Sequence, residues 1–121
     1  MKLTKEDLTY INSKLTDLDL TFIPFGETIF DPVIKTINFD FPELDDIPNW
    51  QKEKRGHNIE EFYLMVLLHE IGHYKHLLKH KCIADYVFHY KQKTWKYEEL
   101  ADRFARRYYK KVLQAYLNER G

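Results

Sequence analysis

Hydrophobic and polar residues alternate with different periods along the chain, and the changes of period mark the predicted elements. From Leu8 to Leu15, apolar residues recur every three or four positions, which predicts a short helix over residues 5–16. Thr4 precedes this stretch, and Asp7 lies three residues after Thr4, as in a capping box. The first element is therefore predicted to be helical.

The next segment, residues 18–41, has the composition of short strands. Thr, Ile and Phe dominate, and Pro and Gly interrupt the segment as turns do, which predicts two or three strands. The clearest period of two lies in residues 34–41, where Ile37, Phe39 and Phe41 alternate with mostly polar neighbours. We expect these strands to form a small, mostly antiparallel sheet.

A long helix is predicted after a polar segment. The acidic pair and the prolines of residues 42–57 are typical of a loop. Asn58, with Glu61 three residues later, then predicts a helix start. We expect that helix to run from Ile59 to about Lys81, and its first half is apolar nearly all round, as in a buried central helix.

The C-terminal part of the chain predicts one more long helix. A short segment, Ile83 to Tyr90, comes first, and Thr94 is the expected N-cap of a helix over residues 95–118. About three main helices and a small sheet give an α+β fold class. The 121 residues suffice for one hydrophobic core but not for two, so a single domain over residues 1–121 is expected.

Composition narrows the possible partners. Aromatic residues reach 16%, with nine Tyr and eight Phe, so a core rich in rings is expected. The formal net charge is zero, whereas domains that bind phosphate backbones usually carry a clear basic excess. We therefore expect no direct binding of nucleic acid.

The expected compartment is the cytoplasm. Cys82 is the only cysteine and cannot form an internal disulfide, which favours a reducing environment for so small a domain. The N-terminal residues contain no apolar stretch of the signal-peptide kind. The longest apolar run, Phe62 to Leu68, is too short to span a bilayer, so a soluble protein is expected.

Residues 69–73, His-Glu-Ile-Gly-His, carry the chemistry of the sequence. His69 and His73 project from one helix face one turn apart, so both imidazoles can reach one ion. Glu70 lies about 100° further around the helix, where it can take a proton from bound water without ligating the metal. Zinc prefers such nitrogen ligands, and a catalytic site keeps one position open for water. We predict one Zn²⁺ per chain, with Glu70 as general base.

Two histidines do not complete a catalytic zinc site, so the chain has to supply a third ligand. The metzincin pattern places a glycine three residues after the second histidine and a third histidine three residues beyond that glycine. His76 and Lys79 occupy those two positions, which excludes the metzincin pattern.

The last predicted helix offers the third ligand. Glu98 and Asp102 lie four residues apart on one face, and small Ala101 and Ala105 beside them allow a close approach to the motif helix. Glu98 is the predicted third ligand, and Asp102 is predicted to accept a hydrogen bond from a ligating histidine. The alternatives are Glu99 as the ligand, or an acidic stretch that is simply solvated.

These two segments, HEIGH at residues 69–73 and E-x-x-A-D-x-F-A at residues 98–105, resemble the gluzincin peptidases, specifically the ImmA/IrrE family. The HtpX-like membrane-associated peptidases carry a similar E-x-x-x-D element. The order of elements is also similar to ImmA/IrrE: a helix, a small sheet, the motif helix and a helix with the third ligand. The resemblance implies a zincin-like fold in which the two motif histidines and Glu98 bind zinc and Glu70 is the base.

The same resemblance implies a substrate class. Members of the family are mostly stress-response proteins or proteins of phages and mobile elements, and they cleave helix-turn-helix repressors. A polypeptide substrate such as a DNA-binding repressor is therefore expected, lying along an edge strand for which residues 34–41 are the candidate. The chain departs from the family in two ways. Asp102 stands where Asn is frequent, and no DNA-binding or accessory domain is visible.

Two other functions stay open. The first is a catalytically silent, zinc-containing interaction module or inhibitor from a mobile element, although a purely structural site has no need of Glu70. The second is a soluble relative of the HtpX-like peptidases with housekeeping substrates. A second oxyanion donor is expected among the Tyr and His residues, and the sequence does not select it.

The remaining histidines and the cysteine are predicted to have no chemical role. His76 and His80 continue the face of the motif histidines, and we expect them to line the far end of the cleft or to meet solvent. A second metal site is the alternative for this pair. His57 and His89 have no partner at a suitable spacing and are expected at the surface, while Cys82 is expected in the core.

Overall fold

The structure, a computed structural model, describes residues 3–24, 27–55 and 59–120, and for residues 44, 54, 55, 59 and 60 only the backbone. These ranges contain five α-helices, three strands and a 3₁₀ turn, so the chain is α+β as predicted. In chain order the elements are α1 (Lys5–Leu15), β1 (Asp19–Ile23), β2 (Ile29–Asp31), β3 (Thr36–Asp40), the 3₁₀ turn (Leu44–Asp46), α2 (Asn49–Arg55), α3 (Ile59–Leu77), α4 (Ile83–Gln92) and α5 (Thr94–Arg120).

The first helix forms as the sequence predicts. The Thr4 side chain accepts a hydrogen bond from the Asp7 N–H at 3.1 Å, and the Asp7 carboxylate accepts one from the Thr4 N–H at 2.7 Å. This capping box satisfies two main-chain donors that the helix itself leaves free. At the other end, the buried Asn12 side chain donates to the Leu18 carbonyl at 2.8 Å, which joins α1 to the start of β1.

The sheet is mixed rather than mostly antiparallel. Its order is β1-β3-β2, with β1 parallel to β3 and β2 antiparallel to β3. A four-residue turn joins β2 to β3 and forces them to run in opposite directions. Strands β1 and β2 lie on opposite sides of β3, and β1 and β3 are parallel neighbours.

Residues 34–41 do not form the edge strand that was expected. They contain β3, the central strand, and the side chains of Ile37 and Phe39 are fully buried. An alternating pattern shows that one face of a strand is covered, but it does not show how many neighbours the strand has. The two edges of the sheet are β1 and β2.

The segment between the sheet and the central helix was predicted as a loop, and this was wrong in part. It contains the 3₁₀ turn and α2, whose first turn is closed by the Pro48 carbonyl accepting from the N–H groups of Gln51 and Lys52. Because α2 is short and polar, it has no apolar period to reveal it. The expected N-cap Asn58 and the expected surface residue His57 lie outside the described residues.

The central helix α3 is buried along most of its length. Every residue from 62 to 74 is buried, as its apolar sequence predicted. The helix ends at Leu77, four residues earlier than expected, where two hydrogen bonds of the i to i−3 type tighten the turn. The short segment that follows is the helix α4, and Cys82, which precedes it, is exposed rather than in the core.

The last helix, α5, begins one residue before the predicted start. The Thr94 hydroxyl donates to the Tyr90 carbonyl at 2.8 Å, so it does not cap the helix, and α5 extends to Arg120. Near its end, the buried Tyr116 hydroxyl donates to the Asp7 carboxylate, which ties α5 to α1. Among the described residues, no helix is both long and apolar enough to cross a membrane.

Helices α3 and α5 approach closely at one glycine. A Cβ atom placed on Gly72 would lie 3.1 Å from the Ala101 Cα and 3.2 Å from the Phe104 Cβ. Ala101 and Ala105 are almost completely buried, at 0% and 1% exposure. The small residues of α5 therefore have the packing role that the sequence predicted for them.

Candidate metal centre

Helices α3 and α5 bring three predicted ligands together at one point. The Nε2 atoms of His69 and His73 are 3.2 Å apart. One carboxylate oxygen of Glu98 lies 2.9 Å from the first of these nitrogens and 2.8 Å from the second. Two ligands thus come from consecutive turns of α3, and the third comes from the facing side of α5.

The three atoms fit a zinc ion. Tetrahedral ligands about 2.0–2.1 Å from zinc are about 3.3 Å from one another, slightly more than the distances between these atoms. Two imidazole nitrogens and one carboxylate oxygen are also a donor set that catalytic zinc uses. His69 and His73 are buried, whereas the Glu98 side chain is 41% exposed. The geometry and the chemistry of the donors are therefore compatible with zinc.

Asp102 holds the first histidine in orientation. Its Oδ1 atom lies 2.6 Å from the Nδ1 atom of His69, and both side chains are buried. A carboxylate can only accept at this contact, so Nδ1 carries a proton and the Nε2 atom of His69 faces the other ligands. This is the contact that the sequence predicted for Asp102.

Glu70 lies beside the three ligands. Its side chain is 7% exposed, one oxygen accepts a hydrogen bond from the Phe30 N–H at 2.9 Å, and the other oxygen is 3.8 Å from the His69 Nε2 atom. Burial raises the pKa of Glu70, and the charges of His69 and His73 and the Phe30 hydrogen bond oppose that rise. Strand β2 thus fixes the carboxylate by its main chain, a contact that the sequence did not reveal.

The two adjacent glutamates of α5 have different surroundings. Burial opposes ionisation of Glu98, but hydrogen bonds from His69 and His73 together with their charges outweigh it and lower the pKa of Glu98. Glu99 lies outside the site and pairs with Arg103 at 3.2 Å and with Arg106 at 3.3 Å. Of these two alternatives, the structure brings Glu98 to the histidines.

Two tyrosines of α4 complete the surroundings, and sequence reasoning missed both. The Tyr86 hydroxyl lies 3.3 Å from the Nδ1 atom of His73, and the Tyr90 hydroxyl donates to Glu98 at 3.1 Å. Burial, followed by the charge of Glu98, raises the pKa of Tyr90 to about 12, so the hydroxyl keeps its proton at neutral pH. The spacing of four residues between the two tyrosines was the available signal, because it places them on one face of a helix.

A cleft of about 660 Å³ opens above these groups. Its walls come from the segment around β2, the end of β3, the 3₁₀ turn, α2, α3, α4 and α5. The described residues that line it are Glu27, Thr28, Ile29, Phe30, Pro32, Asp40, Pro42, Asp46, Ile47, Pro48, Trp50, Gln51, Phe62, Val66, His69, Glu70, His73, Tyr86, Val87, Tyr90 and Glu98.

His76 of α3, His80 in the turn after α3 and His89 of α4 lie away from this cleft. His76 is half-buried and lines a second cavity, of about 610 Å³, between α3 and α5. His80 contacts the Asp85 carboxylate at 2.8 Å and the Tyr97 hydroxyl at 3.1 Å, and His89 is exposed as expected. Ligand atoms of His80, Asp85 and His89 lie within 4.8 Å of one another, so this group could also hold a metal. Both ring nitrogens of His80 already have partners, which favours a structural role for it.

No family model, curated protein or solved structure matches the chain. Its chemistry is therefore inferred from the site itself. That site combines three convergent ligand atoms, a buried carboxylate beside them and two tyrosine hydroxyls, all at an open cleft. Such a set can bind a divalent ion, hold a water molecule and transfer its proton.

Proposed function

We propose that the protein is a zinc-dependent endopeptidase of the ImmA/IrrE-like type. The observation that carries the proposal is the convergence of His69, His73 and Glu98 beside the buried Glu70 on the wall of an open cleft. A structural zinc site usually fills its fourth position with protein and lies closed. Here the three ligands line a cleft that is large enough to take part of a polypeptide.

In the proposed reaction Glu70 is the general base. When bound, zinc supplies Lewis acidity, which polarises a carbonyl and makes a bound water more acidic. Glu70 takes the proton of the attacking water and delivers it to the leaving amine. The Phe30 N–H holds one oxygen of Glu70 and leaves the other, which faces His69, for that proton.

Tyr90 is the candidate for the second oxyanion donor. Its hydroxyl lies at the cleft, 3.1 Å from a carboxylate oxygen of Glu98, and would turn from that oxygen to a peptide carbonyl. Tyr86 is less suitable because it is 5% exposed, whereas Tyr90 is half-buried. A donor placed near the ligands stabilises the negative charge that develops on a peptide carbonyl oxygen.

The substrate is proposed to lie along β2. This strand is an edge of the sheet, and Ile29 and Phe30 both line the cleft. An extended peptide can add to such an edge through main-chain hydrogen bonds to groups other than the Phe30 N–H, which holds Glu70. A regulatory protein such as a helix-turn-helix repressor is the proposed substrate, on the basis of the resemblance of residues 69–73 and 98–105 to the ImmA/IrrE family.

The Glu70→Gln variant tests whether the protein is an enzyme. Glutamine keeps the size of the side chain and can still accept from the Phe30 N–H, so the variant should fold and bind zinc. A change of about 1 kcal/mol shifts the Tm of a domain of this size by about 4–8 °C, so the midpoint should move by only a few degrees. Turnover should fall by about 10²–10⁴-fold, as is typical when a general base is lost.

The assay is cleavage of a co-expressed repressor, or of an unfolded protein, followed by mass spectrometry. Glu99→Gln is the matched control, because it makes the same change at an exposed residue that lies outside the site. It should cleave at the wild-type rate. If wild type and Glu70→Gln are equally inactive on every substrate yet both bind a partner, the protein is a zinc-containing interaction module and not a peptidase.

A further inference from the structure

The cleft is negatively charged, although the formal net charge of the chain is zero. Five carboxylates line it, those of Glu27, Asp40, Asp46, Glu70 and Glu98. No Lys or Arg is found among the described residues of its walls, although the chain has 19 of them against 19 acidic residues. A divalent ion at the metal centre offsets two of these negative charges, and three remain.

The positive charges lie elsewhere. The second cavity, between α3 and α5, is lined by Lys75, Lys79, Arg103 and Arg107, and by no carboxylate among the described residues. A neutral chain that mixed its charges evenly would place both signs in each concavity. The two cavities instead have opposite signs, so the negative potential is a local property of the cleft that holds the ligands.

Three separate segments supply the carboxylates that the metal site does not use. Asp40 ends β3, Asp46 ends the 3₁₀ turn, and Glu27 precedes β2. The Asp40 N–H donates to the Thr28 hydroxyl at 2.9 Å, which holds the segment of Glu27 against the end of β3. These charges are therefore positioned by the fold on the walls of one cleft, and they are not neighbours in one acidic stretch.

Within the described part of the chain, no salt bridge joins Glu27, Asp40 or Asp46 to a cation. Burial raises the pKa of Asp40, which shows that its negative charge is partly removed from water without compensation. An incoming cation would supply the missing partner. Trp50, 64% exposed on the same wall, offers an aromatic face on which a guanidinium group can stack.

We infer that the cleft selects polypeptide segments with Arg or Lys side chains close to the bond at the metal centre. Negative walls attract such segments and disfavour acidic ones, and they exclude nucleic acid from the cleft. The cleavage of these segments rests on the proposed peptidase activity. Their binding to the cleft does not depend on hydrolysis.

Binding is tested with the full-length Glu70→Gln variant loaded with zinc, so that no peptide is consumed. The probes are short fluorescent peptides that are identical except at two central positions, which carry Arg, Gln or Glu. Fluorescence anisotropy should give the tightest Kd for the Arg peptide and the weakest for the Glu peptide. Raising the ionic strength to about 0.5 M should reduce the difference, because exposed charges are then screened.

Neutral variants test whether the cleft carboxylates cause the preference. Each of Glu27→Gln, Asp40→Asn and Asp46→Asn should weaken binding of the Arg peptide by about two- to fivefold, the effect of an exposed ion pair. Asp45→Asn is the matched control, because this exposed residue belongs to the same 3₁₀ turn as Asp46 but does not line the cleft. Circular dichroism and zinc content verify that every variant is folded and loaded.

The outcomes separate this inference from the proposed function. Equal binding of the Arg, Gln and Glu peptides overturns the inference, and so does an equal loss in Asp45→Asn, since the effect would then reflect overall charge. Hydrolysis without a preference for basic peptides leaves the peptidase standing and removes the inference. If the protein binds basic peptides selectively but cleaves nothing, the inference about charge stands and the proposed peptidase activity is wrong.

Discussion

The close contact between α3 and α5 provides a strict test of how the metal centre is held. In Gly72→Ala the added methyl group would lie 3.1 Å from the Ala101 Cα, 3.2 Å from the Ala101 carbonyl oxygen and 3.2 Å from the Phe104 Cβ. Ordinary carbon contacts are about 3.5–4.0 Å, so the atoms overlap by a few tenths of an ångström. Main-chain and Cβ atoms cannot move by rotating a side chain, and α5 itself has to shift.

Two effects of opposite sign then compete. Alanine is favoured over glycine inside a helix by about 1 kcal/mol, whereas overpacking a tight contact costs about 1–3 kcal/mol. We expect the metal-free variant to lie between unchanged and about 2 kcal/mol less stable than wild type. Glu98 is three residues before Ala101 on α5, so it moves with the helix away from His69 and His73. Zinc affinity should therefore fall by about 10-fold or more, as when the support of a metal ligand is disturbed.

Urea unfolding in EDTA gives the stability of the metal-free protein, and competition with a chromophoric chelator gives the Kd for zinc. Ala115→Gly is the control, because Ala115 is exposed on α5 and the change there measures helix propensity alone. It should lose about 1 kcal/mol and keep its zinc affinity. If Gly72→Ala is stabilised by that full amount and binds zinc like wild type, the close contact does not position Glu98.

The remaining predictions concern the metal ligands and the thermal stability of the protein at acidic pH. Metal analysis of untagged protein should give one zinc per chain, and two tightly held equivalents would implicate the cluster around His80. Glu98→Ala should lose zinc, whereas Glu99→Ala should retain it. Hydrogen bonds, first from Lys35, lower the pKa of Asp17 from 3.8 to about 2. The ionised Asp17 therefore contributes to the free energy of unfolding above pH 3.8, and this contribution disappears as the pH falls towards 2. Asp17→Asn should thus lower the Tm at pH 6, and its thermal stability should fall less than that of wild type between pH 4 and 2.

The helical part of the fold was the most predictable from sequence. The capping box of α1, the apolar α3 and the small residues of α5 each act through contacts within a turn or two of a helix, or through one face that must be buried. The i, i+4 spacing of Glu98 and Asp102 sufficed to find both, because a helix converts that spacing into a common direction. Distances across the site were not needed for this inference.

The topology of the sheet and the surroundings of the site depend on contacts between distant segments. Periodicity indicates that β3 has a buried face, but the order β1-β3-β2 follows from how the chain crosses the sheet. The contact between the Phe30 N–H and Glu70 joins residues 40 positions apart. Its donor is a main-chain group, so the side chain at position 30 gives no sign of it in the sequence. Tyr86 and Tyr90 could be assigned to the site only once the segment around them was known to be a helix that packs against α3 and α5.

The division of ligands between two helices has a consequence for the relation between metal binding and folding. His69 and His73 come from α3, Glu98 comes from α5, and the two helices meet through Gly72. Glu98 is 29 residues from His69 and 25 residues from His73 along the chain, so an unfolded chain does not hold the three donors together. Zinc bound at this site would therefore stabilise the folded state by mass action, by about 4.1 kcal/mol when free zinc is in thousandfold excess over its Kd. The carboxylate contacts of Asp102 and Glu98 to the imidazoles keep the donors aligned in the same fold, so metal capture needs little rearrangement of the helices.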